Sequence, residues 1–229
     1  CLSISLDLVG DDHFSKVFLC EKEKLKELTS SKVFVNTRNE VISIGRLYVF
    51  FTAFLGFTPN SDEGKVEALA AYGSTKNNQL YDYLISSTSI SENNQIIINE
   101  DVIYYLEKNI SNIQVEIGRE NIAAAIQGYL ENIILNYVKK LINQYQIYDI
   151  CLSGGNFANV KLNMKLYEES GLKNLYIIPA MTDSGAGLGA LILSLKKEKK
   201  INFDSFKKSK FEMPYWGPYY NNDEIKETL

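Results

Sequence analysis

A chain of 229 residues, 45% hydrophobic and 23% charged, can bury one substantial core or two small ones, which excludes disordered and fibrous classes. A formal net charge of -4, with no aromatic platform interleaved among its lysine clusters, argues against a nucleic-acid surface. No stretch approaches the roughly 20 apolar residues of a membrane span and no leader pattern opens the chain, so a cytoplasmic protein with neither membrane nor nucleic-acid partner is expected.

In chain order, Leu2 to Leu8 and Lys16 to Cys20 read as strands, with Leu25 to Leu28 and Val33 to Val35 as further short ones. Ile42 to Phe57 and Gly64 to Tyr72 read as helices, the second stopped by Gly73. Ser87 to Asn94 is a run of turn formers, followed by a short strand at Gln95 to Ile98. Asn121 to Tyr145 carries the clearest helical pattern, with Ile122, Ile126, Leu130, Ile133, Ile134, Tyr137, Leu141 and Ile142 on one apolar face. A buried strand at Ile147 to Leu152, a helix from Asn159 to Leu166, a strand at Leu175 to Ile178 and a small-residue helix from Gly185 to Leu195 complete an α/β alternation with a parallel half-sheet. Asn202 to Pro218 gathers prolines and aromatics and reads as a packed linker.

Cys1, Cys20 and Cys151 form no framework spacing, as in a reducing compartment, and Cys151 reads as core filler. His13 is the sole histidine, so a Cys-His or Ser-His-Asp arrangement is not expected and any catalysis must use carboxylates, a metal or the substrate. The chemistry concentrates after the strand ending at Leu152, where Ser153-Gly154-Gly155-Asn156 turns into a helix. Glycines admit a ligand close to the backbone, and the helix N-terminus beyond favours a phosphate. Asp183 ends the next strand. Both turns lie beyond strand carboxyl ends, where ligands of open α/β sheets bind, so one shared cleft is expected. Plain readings stand beside these: Gly-Gly is ordinary turn chemistry, and Asp183 suits a helix N-cap.

Read whole, Leu152 to Asn163 followed by Pro179 to Ala190 resembles the O-carbamoyltransferase family of nodulation and antibiotic-tailoring enzymes. Ser43-Ile44-Gly45-Arg46-Leu47-Tyr48 and Glu63-Gly64-Lys65-Val66-Glu67-Ala68-Leu69-Ala70-Ala71-Tyr72-Gly73 look like that family's Ser-Leu-Gly-x-x-Tyr and Glu-Gly-Lys-x-x-x-Leu-Ala-x-Tyr-Gly blocks. Leu6 to Asp11 is similar to its Leu-Asp-Gly-x-Gly-Asp turn, and Trp216 to Ile225 to the segment leading towards its second domain. Leu8 stands where the family usually has Gly, and Leu8 and Thr182 are expected to narrow the cleft.

The resemblance implies a layered fold of the sugar-kinase/heat-shock/actin (ASKHA, ribonuclease-H-like) superfamily. Residues 1–200 would be the acceptor domain lacking its first part, and 201–229 a linker towards an adenylate-forming domain. Such enzymes make carbamoyl-adenylate from carbamoyl phosphate and ATP, then move the carbamoyl group to a hydroxyl of a sugar or natural product. The opening at Cys1 rather than Met fits a piece of a longer chain, with the family's two histidine ligands upstream. The implied nucleotide-binding residues are Gly154, Gly155, Asn156 and Asn159 at the phosphate, with Glu63 accepting ribose hydroxyls and Lys65 offsetting phosphate charge. Asp183, with Asp7 as a second ligand or supporting group, would hold iron(II) or another divalent metal. Partners would be a small-molecule nucleotide and a hydroxyl acceptor, within a chain able to form a homo-oligomer. Two other readings stay open: a kinase or phosphatase of the same superfamily, and a non-catalytic nucleotide-binding module.

Overall fold

Leu2, Ile4 and Leu6 alternate with polar Ser3 and Ser5, and this period of two lays down β1 (Leu2–Gly10) with its apolar side buried. Asp11 and Asp12 both adopt positive φ, the geometry of a tight hairpin, and return the chain as β2 (His13–Glu21). The short strands expected at Leu25 and Val33 are instead one long strand, β3 (Lys24–Lys32), and a two-residue β4 (Phe34–Val35) that pairs with β5 (Val41–Ile42). The computed structural model describes residues 1–21, 24–198, 200 and 221–228. They fall into two compact units, Cys1–Gly185 and Ala186–Leu229.

In the first unit, Ser43 caps α1 (Ile44–Phe54) by accepting the Arg46 N–H at 3.0 Å. A loop leads to α2 (Glu63–Ala70), which ends before Gly73. Two helices and a strand were not legible in the sequence: α3 (Gln79–Ser86), α4 (Val102–Ile117) and β6 (Thr88–Ile90), the last pairing with β7 (Ile96–Ile98). Asn78 caps α3, and Gly118, at φ +82°, separates α4 from α5 (Arg119–Tyr145). The eight apolar residues expected on one face of α5 are all buried, but so are Ala123, Ala124, Ala125, Gln127 and Glu131, because helices pack on several of its sides. Then follow β8 (Asp149–Ser153), a 3-10 turn at Gly155–Ala158, α6 (Val160–Glu169) and β9 (Asn174–Ile177).

The sheet runs β3-β2-β1-β8-β9, with β1, β8 and β9 parallel and β2 and β3 antiparallel. This mixed α/β sheet matches the predicted class. Leu2 pairs with Ile150 and Ser5 with Ser153, where the parallel pairing stops; Asp7 lies two residues further along β1 and the Gly154-Gly155 turn just beyond β8. The core beneath holds Phe51, Tyr129, Tyr137 and Phe157 as its largest fully buried side chains.

The second unit contains α7 (Ala186–Lys197), whose last turn carries Lys196 and Lys197 in keeping with the helix dipole, and α8 (Asn222–Thr228), which begins with Asp223 and Glu224 on the same principle. The linker expected at Asn202 to Pro218 lies outside the described residues. No described helix is long and apolar enough to cross a membrane.

Candidate functional site

Gly45 on α1 brings the first wall of the site into place. A Cβ there would stand 2.8 Å from Leu8 Cα, so only glycine lets α1 press against the end of β1 and carry Tyr48, one turn on, to the same place. Beside it lie Asp7 and Leu8 from β1, Glu63, Gly64 and Glu67 from α2, and Gly155, Asn156 and Asn159 from the segment after β8. Thr182 and Asp183, beyond β9, close the ring. Together they line a cleft of about 430 Å³. The two turns expected to share a cleft therefore do so, and a hydrogen bond from Gly154 N–H to the Met181 carbonyl, 2.7 Å, ties them together.

The backbone of the glycine turn is engaged within the protein. Gly154 is buried at φ +97°, and a Cβ on it would meet the Leu6 carbonyl oxygen at 2.2 Å. Its role is to let the turn cross over β1. Its N–H is spent on Met181, while the Gly155 N–H donates to Asp7 Oδ2 at 2.9 Å. Asp7 Oδ1 accepts the Leu8 N–H at 2.7 Å. Both glycine N–H groups expected to hold a phosphate are thus engaged by the protein itself, and the anion at this turn is Asp7. The start of α6 is likewise occupied: Glu67 Oε1 accepts the Lys161 N–H and Asn159 Oδ1 the Leu162 N–H, each at 2.8 Å. Asn156 Nδ2 donates to the Leu6 carbonyl at 3.3 Å.

Lys65 is not among the cleft residues. Its ammonium pairs with Asp62 at 2.9 Å on the exposed side of α2, whereas Glu63, two residues earlier, lines the cleft and accepts the Asn60 N–H at 2.6 Å. Asp183 opens a 3-10 turn and is exposed. The cleft carries four carboxylates, on Asp7, Glu63, Glu67 and Asp183, and no Lys, Arg or His lines it among the described residues. His13 sits in the β1–β2 hairpin with Nδ1 2.7 Å from the Asp11 carbonyl oxygen. Among the described residues, no three His, Cys, Asp or Glu side chains gather into a metal-binding group. All three cysteines are free thiols, and burial pushes those of Cys20 and Cys151 up.

Four residues that the sequence reading gave no role complete the wall. Tyr48 Oη donates to Gln127 Oε1 at 2.8 Å, and the Gln127 and Asn159 amides exchange hydrogen bonds of 3.0 and 2.8 Å. Gln127 Nε2 also donates to Glu131 Oε1 at 2.9 Å, and Glu131 pairs with Lys165 at 3.3 Å and Lys161 at 3.8 Å. Glu67 is the fourth. Burial first, then the charges of Glu67, Glu131 and Glu63, push the Tyr48 phenol far above its ordinary range. Gln127 and Glu131 also line a second, polar cavity of about 290 Å³ behind this wall. Their sequence signal was two polar residues one turn apart in the otherwise apolar core of α5.

Residues 2–192 match the family model for the carbamoyltransferase N-terminus. The chain belongs to this family. It is 35% identical over its full length to the protein MJ1058 of Methanocaldococcus jannaschii, covering 38% of that protein. Similarity to the nodulation protein NolNO of Sinorhizobium fredii is 25% identity over 81% of this chain and 27% of that one. A tRNA N6-adenosine threonylcarbamoyltransferase of Mycoplasmopsis agalactiae is 31% identical over 42% of this chain and 30% of its own length. The chain thus spans well under half the length of these curated relatives. Four of the blocks singled out in the sequence, around Asp7, Gly45 and Tyr48, Glu63 to Glu67, and Gly155 to Asn159 with Thr182 and Asp183, supply residues of the cleft.

Proposed function

We propose that this domain is the acceptor half of an O-carbamoyltransferase. In this reading, carbamoyl-adenylate, formed from carbamoyl phosphate and ATP elsewhere in a longer polypeptide, enters the cleft and yields its carbamoyl group to an acceptor hydroxyl. The observation that carries the reading is the convergence of Asp7, Gly45 and Tyr48, Glu63 and Glu67, Gly155 to Asn159, and Thr182 and Asp183 on one cavity. These positions are scattered along the chain, and burial of the core alone gives no reason for their meeting. The mixed sheet, with its cleft beyond the carboxyl ends of parallel strands, supports the ASKHA assignment.

Each residue has a physical role here. Glu63 and Glu67 are acceptors for ribose or acceptor-substrate hydroxyls. Asp7 holds the glycine turn in shape, and each of its oxygens keeps a lone pair beyond the N–H it accepts. Asp7 and Asp183 offer hard oxygen donors suited to a divalent cation, although no group of three His, Cys, Asp or Glu side chains forms among the described residues. An ion held by these two carboxylates would supply charge compensation for a phosphate and Lewis acidity towards a carbonyl.

The test is carbamoyl transfer from carbamoyl phosphate and ATP to a polyhydroxylated acceptor, followed by mass spectrometry in the full-length polypeptide. Loss of transfer in a Glu63→Gln, Glu67→Gln double variant is expected. Undiminished transfer would remove the reaction from this cleft.

A further inference from the structure

The polar cavity of about 290 Å³ behind the wall shares no lining residue with the cleft. Its acceptors already receive donors. Glu131 Oε1 accepts from Gln127 and Oε2 from Lys165, Gln127 Oε1 accepts from Tyr48 and Asn159, and Asn132 Oδ1 accepts from Asn136. Its donors are largely unused. Lys161 Nζ stands 3.8 Å from Glu131 and makes no hydrogen bond among the described residues. Lys165 Nζ makes one, to Glu131 at 3.3 Å, of the three that an ammonium can donate, and Asn132 Nδ2 makes none among the described residues.

Charge is unbalanced in the same sense. Two ammoniums, on Lys161 and Lys165, face one carboxylate, on Glu131, and no other charged side chain lines the cavity among the described residues. The lysines lie one turn apart on α6, a spacing at which like charges repel. The Glu131 side chain is only 8% exposed, whereas those of Lys161 and Lys165 are 45% and 31% exposed, so the carboxylate is held inside and the surplus positive charge is open to a solute. Gly128 on α5 shapes the opposite side: a Cβ there would meet Thr75 Cγ2 at 2.4 Å, so glycine lets the loop carrying Ser74 and Thr75 close against the helix.

We propose that this cavity is an anion site, separate from the cleft, that binds a phosphate group through Lys161 and Lys165. An ionised phosphate presents several acceptor oxygens and no strong donor, the complement of a lining whose acceptors are engaged and whose ammoniums are not. Its charge also offsets the repulsion between the two lysines. The phosphate can arrive as the free ion or as a monoester of a hydroxylated molecule, for which Ser74, Thr75 and Tyr81 supply hydroxyls able to donate or accept. The inference does not depend on carbamoyl transfer in the cleft.

The experiment is titration of the ¹⁵N-labelled full chain with glucose 6-phosphate, inorganic phosphate and glucose at matched ionic strength, read by amide shifts in NMR. Saturable shifts at Ser74, Thr75, Gly128 and Asn132 are expected with both phosphates and not with glucose. Tighter binding of the ester identifies a phosphorylated metabolite as the ligand class, and equal binding identifies the free ion. Lys161→Gln leaves Glu131 its bonds from Gln127 and Lys165, so the variant keeps its fold, and its phosphate affinity is expected to fall about tenfold. Lys165→Gln is expected to lose as much. Shifts that sodium chloride reproduces at equal ionic strength, shifts confined to residues of the cleft, or an affinity unchanged in Lys161→Gln overturns the proposal.

Discussion

Asp7 Oδ2 accepts the Gly155 N–H at 2.9 Å, across 148 residues of sequence, and so a carboxylate of the chain fills the place expected of a phosphate. Asp7→Ala leaves both this N–H and that of Leu8 without their acceptor, and a stability loss of about 2 kcal/mol is expected in urea unfolding. Asp7→Asn retains one acceptor oxygen and should lose roughly half as much.

Gly154 and Gly155 differ sharply despite their adjacency. Gly154→Ala must fit a methyl 2.2 Å from the Leu6 carbonyl oxygen at φ +97°, so a loss of at least ~3 kcal/mol is expected. Gly155→Ala faces only Asp7 Oδ1 at 3.3 Å, and its loss should be nearer ~1 kcal/mol. Thermal melts of the two variants check the order.

Lys65 and Glu63 sit two residues apart but on different sides of α2. Lys65→Ala breaks an exposed pair with Asp62 and should change stability by less than about 0.5 kcal/mol, with nucleotide affinity unchanged. Glu63→Gln weakens a charged acceptor in the cleft, and its nucleotide affinity should fall about tenfold in the same titration.

Four carboxylates line the cleft with no cation beside them among the described residues, an arrangement that repels a nucleotide phosphate. ATP is therefore expected to bind in calorimetry only with a divalent metal, and a chelator should abolish the heat of binding. Asp183→Asn, at an exposed turn, should weaken the metal requirement without a change in melting temperature. Equal binding with chelator and with metal would contradict this.

Burial pushes the Tyr137 phenol up to about 12 from an ordinary 10, and those of Tyr48 and Tyr129 higher still. The folded chain then holds these protons more tightly than the unfolded chain does. Their contribution to stability is complete below about pH 10 and lost as pH rises through 12, at about 1.4 kcal/mol per pH unit for each phenol. Urea midpoints measured from pH 8 to 12 should stay level and then fall steeply above 10.

Much of the fold was legible because its elements carry their own periodicity. β1 alternates, α5 repeats its apolar residues over 27 residues, and β8 and β9 are short apolar runs beside turns. The helix α4 was hidden because Asn109, Ser111, Asn112 and Gln114 sit between its buried Val102, Ile103, Leu106, Ile110 and Ile113. In the cleft, Asp183 and Gly155 were readable as turn residues after strands. The sequence could not show that Asp7 would take the Gly155 N–H, nor that Lys65 would turn to Asp62, since both depend on partners set by tertiary packing. Gln127 and Glu131 look like surface residues of a long helix until α6 covers them.

Because β1 lies at the centre of the sheet, its neighbour on one side, β2, follows at once in synthesis, while its neighbour on the other, β8, is made about 140 residues later. At ~5–20 residues per second, a nascent chain carries an open strand edge for several seconds or more. The site is thus the last part of the unit to form, and the early hairpin is the segment most in need of protection against pairing with another chain.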